Sequence, residues 1–292
     1  MIICADDFGI SKSVSDGILD LLSIKRLSAV SCIMNYKAEI PSQLNKLVKY
    51  RKECDIGLHL NLTNGRPVSN LVNINSGLVD KEGFFLDFKN ILFNIITKKI
   101  DQRQLVLEIE NQIDCFKELT GFNPDFIDGH QHIQQLPTVS DILLQVSKRK
   151  FNKHKYYIRA GEFPFLKSIK SNLNFKMIIG SVFINFFSKQ FIKKLKINNI
   201  HHNKYLFGYH NYNFEKKFLN VFLQYLEMNP STNDIFFMHP GYIDSNLIFR
   251  DNLVEGRLTN LEFLKSDDFF KILESFKLRI NRFNFDVNCT AK

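Results

Sequence analysis

The chain has 292 residues, of which 45% are hydrophobic and 24% charged. This composition predicts a folded globular protein with a sizeable core and excludes a fibrous or disordered chain. The formal net charge is +9, but Lys and Arg are spread along the chain rather than blocked, so no nucleic-acid partner is predicted. The most apolar stretch, Met177 to Phe187, is too short to span a bilayer.

The five cysteines contain no C-x-x-C spacing and are Cys4, Cys32, Cys54, Cys115 and Cys289. Cys4 and Cys32 lie in apolar runs, where a free cysteine behaves as a small buried hydrophobe. Met1 already begins a predicted core strand, which argues against a signal peptide. We therefore expect a reduced, cytoplasmic protein.

Predicted strands and helices alternate along the chain. The first half, in order, is a strand at Met1–Ala5, a helix through Val14, Ile18, Leu21 and Leu22 with Ser11 or Ser13 as its N-cap, a strand at Leu27–Met34, a helix at Ser42–Tyr50, a strand at Ile56–Leu62, helices at Leu86–Thr97 and Gln102–Leu119, and a strand at Asp125–Asp128. The second half is a helix at Pro137–Val146, a strand at Tyr156–Arg159, a helix at Phe214–Met228, a strand at Asp234–Met238, a helix at Ser266–Phe276 and a closing strand at Leu278–Phe283.

Repeated βα units of this kind predict a mostly parallel α/β sheet, either open or closed into a distorted or incomplete (β/α) barrel. Residues 1–292 contain no internal repeat or linker, which favours one domain. Residues 163–200 are rich in Phe and Lys and look less regular, so we expect an insertion or lid there.

Four polar groups follow predicted strands. They are Asp6-Asp7, His59, the run Asp128 to His132, and His239. Reacting groups in parallel α/β folds cluster beyond the carboxyl ends of the strands. A barrel would therefore bring all four groups to one face, although they are far apart in sequence.

These side chains suit metal-assisted hydrolysis. Two adjacent carboxylates resist joint ionisation unless a cation lies beside them. One carboxylate with two imidazoles leaves coordination positions open, while a second carboxylate and a further His supply general base and acid. Each feature alone has a simpler interpretation. Asp6-Asp7 could cap the helix that follows. His130 and His132 would point to opposite faces of an extended chain, so at most one of them is an obvious ligand unless the backbone turns between them.

The chain resembles the YdjC-like carbohydrate deacetylases, a family that includes chito-oligosaccharide deacetylases. The matching motifs are Ala5-Asp6-Asp7-Phe8-Gly9, Gly57 to Thr63 with Gly65-Arg66-Pro67, Asp128-Gly129-His130-Gln131-His132 and Met238-His239-Pro240-Gly241-Tyr242. The resemblance implies a barrel-like hydrolase that removes acetyl groups from N-acetylated saccharides with one divalent metal ion, Mg²⁺ or Zn²⁺.

The resemblance also implies roles for seven residues. Asp7, His59 and His130 would hold the metal, Asp6 would be the general base, and His239 the general acid. His132 would lie in the pocket as a substrate-binding or supporting group, and Arg159 would contact substrate or orient a carboxylate.

Three alternatives stay open at this point. The protein could hydrolyse another amide or a phosphoester, or bind sugar without catalysis on a retained fold. The Phe/Lys-rich insertion could be a lid, a homodimer contact or a membrane-docking element. The bulky apolar and basic side chains that suggest membrane docking are Phe183, Phe186, Phe187, Lys189, Phe191, Lys193, Lys194 and Lys196.

Overall fold

In a computed structural model of the protein, the fold is built on one eight-stranded parallel sheet. The structure describes residues 1–70, 72–151, 154–160, 175–208 and 218–287, with 175–181 and 183 described by their backbone alone. The strands are β1 (Ile2–Phe8), β2 (Ala29–Cys32), β3 (Asp55–Leu60), β4 (Phe126–Gly129), β5 (Tyr157–Ile158), β6 (His201–His202), β7 (Leu206–Phe207) and β8 (Ile235–Met238). Every pairing between them is parallel.

The sheet is curled into a distorted barrel. Its strand order is β6-β5-β4-β3-β2-β1-β8-β7, so the edge strands β6 and β7 are consecutive in the chain. Four Cα steps separate His202 from Leu206, which span at most about 14 Å. The two edges therefore lie near each other, although no ladder joins them within the described residues. The predicted distorted or incomplete barrel is confirmed.

Helices flank the sheet. They are α1 (Lys12–Ser23), α2 (Pro41–Leu47), α3 (Phe88–Ile96), α4 (Gln102–Thr120), α5 (Pro137–Lys150), α6 (Phe175–Ile197), α7 (Phe218–Glu227), α8 (Ser245–Arg250), α9 (Glu255–Lys265) and α10 (Asp267–Ser275). The Ser11 side chain caps α1 by accepting a hydrogen bond from the Val14 amide, as one of the two predicted caps would.

The strands bury apolar side chains on both faces, as parallel strands do. The outer face packs against the helices in one large hydrophobic cluster. A second cluster fills the barrel and comprises Ile2, Cys4, Ala29, Phe126, Tyr157, Leu206, Ile235, Phe237 and Phe283. Gly57 makes room inside, because a Cβ there would lie 2.5 Å from the Phe126 ring.

The predicted closing strand at Leu278–Phe283 is wrong. Within the described residues this segment joins no strand, and it closes the end of the barrel at which the strands begin. The Phe283 ring stacks on Tyr157 with centroids 4.1 Å apart, and the Phe283 amide donates to Asp55. Of the apolar residues that suggested a strand, Phe283 belongs to the cluster inside the barrel, whereas Leu278 and Ile280 pack against the outer cluster.

The irregular structure predicted for residues 163–200 is wrong over 175–197, which form the helix α6, while 163–174 lie outside the described residues. The buried face of α6 includes the polar Asn185 and Ser188, whereas the apolar Phe186 is 58% exposed. Because polar residues are buried and an apolar residue is exposed, the sequence does not show the hydrophobic period of an amphipathic helix. The two-residue strands β6 and β7 and the helices α8 and α9 were also not predicted.

The side chains proposed for membrane docking divide between two environments. Phe191 is buried and Phe187 packs against the core, whereas Phe186, Lys189 and Lys193 are exposed. Among the described residues, no helix is both long enough and apolar enough to cross a membrane.

Candidate active site

Polar side chains continue the inward-facing rows of the barrel beyond its apolar filling. Because side chains alternate along a strand, the residue two positions after an inward one also faces inward. Five inward apolar residues are followed in this way: Cys4 by Asp6, Ala29 by Ser31, Phe126 by Asp128, Tyr157 by Arg159 and Phe237 by His239. The site is thus the next layer of the same barrel, at the carboxyl ends of its strands.

A bulge in β1 places both adjacent carboxylates in this layer. Ala5 pairs with Val30 and Phe8 with Cys32, so three steps along β1 face two along β2. Asp7 takes the left-handed conformation, with φ 66°. This extra residue brings two consecutive side chains to one side. Gly9 follows at φ 99°, where a Cβ would lie 2.5 Å from the Ile33 carbonyl oxygen.

The backbone also turns between His130 and His132. Gln131 and His132 have φ values of 54° and 58°, which end the extended strand after Gly129. The two imidazoles therefore line the same cavity. They do not point to opposite faces, as they would on an extended chain.

All seven residues singled out from the sequence line one cavity of about 470 Å³, a volume within the range of small-molecule sites. They are Asp6, Asp7, His59, His130, His132, Arg159 and His239. Phe88 and Lys89 of α3, Ile184 of α6, Phe237 and Leu253 also line it. The cavity therefore has charged and imidazole side chains at its base, which we call the ionic layer, and partly apolar walls.

Asp7, His59 and His130 form a candidate metal centre. One ligand atom from each lies within 4.8 Å of the others. Asp7 Oδ1 is 3.3 Å from His59 Nε2 and 3.0 Å from His130 Nδ1. This buried set of one carboxylate oxygen and two imidazole nitrogens fits a divalent ion such as Zn²⁺.

The charge of Asp7 is maintained despite its burial. Burial alone would raise the pKa of this carboxyl group, but Arg257 and His130 outweigh it and hold the pKa well below its usual range. Asp7 is therefore ionised at neutral pH.

Asp128 orients His59 from behind. Asp128 Oδ1 is 2.6 Å from His59 Nδ1, and the Ser31 hydroxyl donates to the same oxygen. Burial lowers the pKa of His59, but Asp128 and Asp7 together raise it to about 10. Such a partner fixes the ring so that Nε2 faces the metal position. Asp128 stands in the run Asp128 to His132, but no sequence pattern identifies it as the partner of His59.

Arg159 holds Asp6 with two hydrogen bonds. Nη1 is 2.6 Å from Oδ1 and Nη2 is 2.7 Å from Oδ2, the geometry of a bidentate pair. Arg159 Nε also lies 3.0 Å from Asp128 Oδ2. Cys4, Asp6 and Asp128 form a second group of atoms spaced for a metal, but the positively charged guanidinium of Arg159 already contacts both carboxylates.

His239 and His132 are both neutral imidazoles near pH 7. Burial lowers the pKa of His239 to about 4 although Asp7 opposes this, and His239 Nε2 is 3.9 Å from Asp7 Oδ2. Burial and then Arg159 lower the pKa of His132 to about 3. The edge of each ring packs with Phe237.

Arg257 and Asp251 complete the ionic layer and were missed in the sequence. Arg257 Nη2 is 2.7 Å from Asp7 Oδ2 and also pairs with Asp251. Arg257 lies on α9, 250 residues after Asp7, and Asp251 lies in the segment before that helix. No motif surrounds them, so only the fold brings them to the site.

Comparisons with known proteins agree with this architecture. A human carbohydrate deacetylase is 34% identical over 146 residues, which are 50% of this chain and 44% of that protein; the chain therefore matches less than half the length of this relative. A carbohydrate deacetylase of Clostridium beijerinckii is 25% identical over 97% of this chain and 98% of its own.

The fold also matches a solved structure. A protein of Enterococcus faecalis, described as a cellobiose-phosphate cleavage protein, superposes with a TM-score of 0.72 at 18% identity, covering 96% of both chains. The model of the YdjC-like protein family matches residues 1–275. Because this match includes all seven residues and nearly the whole sheet and its helices, the chain belongs to the YdjC-like protein family.

Proposed function

We propose that the protein is a metal-dependent hydrolase that removes the N-acetyl group from an N-acetylated sugar or oligosaccharide, similar to a chito-oligosaccharide, and releases acetate. The observation that carries the proposal is the carboxylate of Asp6, held by Arg159 in the same cavity as the Asp7, His59 and His130 centre. The names of its relatives, carbohydrate deacetylase and chitooligosaccharide deacetylase, support the substrate class.

Asp7, His59 and His130 would hold one divalent cation. Two imidazoles with a carboxylate favour Zn²⁺, while Mg²⁺ is the alternative. A cation at this position polarises an amide carbonyl and makes a water molecule acidic near neutral pH.

Asp6 is the proposed general base. Its two oxygens are held in a fixed plane by Arg159. Oδ1 also accepts a hydrogen bond from the Cys4 thiol, whereas Oδ2 keeps a lone pair for a further hydrogen bond. The carboxylate can therefore accept the proton of the attacking water without rotating. The carbonyl carbon first gains its bond to the water oxygen, and its bond to the sugar nitrogen then breaks as that nitrogen receives a proton.

His239 is the proposed donor of a proton to the departing sugar amine. Because burial keeps this imidazole neutral, it can donate to the amine only after it receives a proton in the same turnover. We propose that this proton is the one that Asp6 takes from water. His132, neutral for the same physical reason, is the proposed hydrogen-bonding group for substrate.

The cavity walls suit a sugar that carries an acetamido group. Phe88, Ile184, Phe237 and Leu253 provide apolar contacts for the acetyl methyl group and the C–H faces of the sugar ring. Because Ile184 belongs to α6, this helix is the proposed part of the insertion that shapes the substrate site. The chain would act as one barrel domain.

A two-metal phosphoesterase is less well supported. The second group of candidate ligands, Cys4, Asp6 and Asp128, already has the Arg159 guanidinium as its cation. A sugar-binding protein without catalysis is also less well supported, because the candidate metal centre of Asp7, His59 and His130 lies in the same cavity.

Acetate release from a panel of N-acetylated mono- and oligosaccharides tests the proposal. We expect release from at least one saccharide, its loss with a chelator, and its return when Zn²⁺ or Mg²⁺ is added back. A protein that binds a saccharide and carries metal, yet releases no acetate from any of the panel, would contradict the proposed reaction.

A further inference from the structure

Arg257 is a fully buried arginine whose side chain joins two carboxylates beneath the cavity. Its Nη2 donates to Asp7 Oδ2 at 2.7 Å and pairs with Asp251. Its Nε donates to the Leu253 carbonyl oxygen at 2.9 Å. The guanidinium is therefore fixed at three points, all of them on residues that line the cavity: Asp7, Asp251 and Leu253.

The two oxygens of Asp7 consequently have different partners. Oδ2 accepts from Arg257, whereas Oδ1 faces His59 Nε2 and His130 Nδ1 at 3.3 and 3.0 Å. A free carboxylate could offer both oxygens to a cation, but here the positive guanidinium of Arg257 lies 2.7 Å from Oδ2 and disfavours a second cation beside that oxygen.

We propose that Arg257 is a positioning residue that restricts Asp7 to a single metal-ligating oxygen and sets how tightly the centre holds its ion. The inference rests on the proposed role of Asp7 as a metal ligand. Asp251 supports Arg257 through its second ion pair. Together, Asp7, Arg257 and Asp251 form the ion-pair chain that ties α9 to the end of β1.

Two observations favour this role over a purely structural one. Asp7 lies at a bulge in a left-handed backbone conformation, so its side chain needs a fixed partner to hold one orientation. In addition, a buried arginine is a poor source of stability, because the loss of hydration of its charge offsets much of what its ion pairs contribute. A fixed charge here is better explained by what it does to the ligand.

Titration of the metal-free protein with Zn²⁺ alone tests the inference. We expect Arg257→Met to weaken the affinity for Zn²⁺ by about 10- to 100-fold, the usual effect of losing a partner of a metal ligand. The matched control is Arg26→Met. Arg26 is also buried, but its guanidinium contacts the backbone carbonyl oxygens of Lys265 and Ser266. This variant should retain the wild-type affinity for Zn²⁺.

Absorption of the Co²⁺-loaded protein provides a readout that a structural role would not change. We expect the ligand-field bands of Arg257→Met to differ from those of the wild type, and those of Arg26→Met to coincide with it. Arg257→Lys, which restores the charge but not the planar fork, should recover part of the Zn²⁺ affinity.

If a folded Arg257→Met protein binds Zn²⁺ as tightly as the wild type with unchanged Co²⁺ bands, the inference is overturned. If neither Arg257 variant folds, Asp251→Asn decides: weaker Zn²⁺ binding at an unchanged melting temperature supports it, and unchanged binding overturns it. A wild-type protein that binds no metal would instead refute the proposed function, so the two failures are distinguishable.

Discussion

The two ends of the barrel interior are built from the same strands but from opposite kinds of side chain. Where the strands begin, the rings of Phe126, Tyr157 and Phe283 stack, with neighbouring centroids 5.0 and 4.1 Å apart. Two residues further along β4 and β5, the same inward rows carry Asp128 and Arg159. Along each of these rows, the side chains therefore change from apolar to ionic between one inward-facing residue and the next.

The difference separates stability from function within one core. Stacked rings stabilise a fold by removing apolar surface from water. Buried charges need partners simply to offset their lost hydration, and they are weak sources of stability. The ionic layer is therefore maintained for what it binds. Substitutions in the apolar layer should change the free energy of unfolding, whereas substitutions in the ionic layer should change turnover or metal affinity.

Asp6→Asn should produce the largest functional loss. The amide retains the shape of the side chain but cannot accept a proton from water, so turnover should fall by about 10²- to 10⁴-fold while the metal content stays unchanged. Measurement of kcat and of bound metal checks this. Asp268→Asn, at an exposed position on α10, is the control. Full metal-dependent turnover in Asp6→Asn would exclude Asp6 as the base.

Phe283→Ala should produce the largest loss of stability. It removes a buried ring from the plug, which costs about 3–5 kcal/mol of the free energy of unfolding, and the folded variant should keep its metal affinity. Denaturant unfolding measures the change. Phe249→Ala, at a ring that is 88% exposed, should change stability by less than about 0.5 kcal/mol. Equal effects of the two variants would contradict the role of the plug.

Glu108 tests a buried acid outside the ionic layer. Burial raises its pKa to about 7, even though hydrogen bonds from Gln112, Ser69 and Val68 oppose this shift. The unfolded state, with a usual pKa near 4.3, releases the proton earlier as pH rises. Glu108 thus contributes stability at acid pH that is lost between about pH 4 and pH 7, on the order of 3 kcal/mol.

The matching variant is Glu108→Gln, which has no proton to lose. We expect the free energy of unfolding of the wild type to fall relative to this variant between pH 5 and 8, which parallel denaturant titrations measure. A difference between the two proteins that does not change with pH would contradict the raised pKa.

Asp128→Asn should have the smallest effect in the series. It weakens the hydrogen bond to His59 Nδ1 without removing a ligand, so the affinity for Zn²⁺ should fall by about 10- to 100-fold. Asp125→Asn is the control from the other end of the same strand, where the carboxylate accepts from the Ile56 amide. Zn²⁺ affinities that change equally in both variants would mean that the effect is one of stability alone.

The sequence predicted those parts of the site that follow strands. Asp6, Asp7, His59, His130 and His239 each stand at the end of an apolar run, and parallel topology alone brings such positions together. The bulge at Asp7 and the turn at Gln131 decide which way these side chains face, and neither has a local sequence pattern that identifies it.

The parts that were missed depend on contacts between distant segments. Arg257 and Asp251 sit among ordinary helical and loop residues, and their burial follows from the way that α9 meets the end of β1. The plug resembles a strand because Leu278 and Ile280 pack against the core at strand-like spacing. In α6 the exposed Phe186 and the buried Asn185 conceal the helical period.

Diffraction from crystals grown with Zn²⁺, recorded at the Zn absorption edge, tests the central claim most directly. We predict one anomalous peak per chain, at about 2.0–2.2 Å from Asp7 Oδ1, His59 Nε2 and His130 Nδ1, with Asp7 Oδ2 still held by Arg257. A peak at another position, or a second peak of equal height between Asp6 and Asp128, would contradict the single-metal centre.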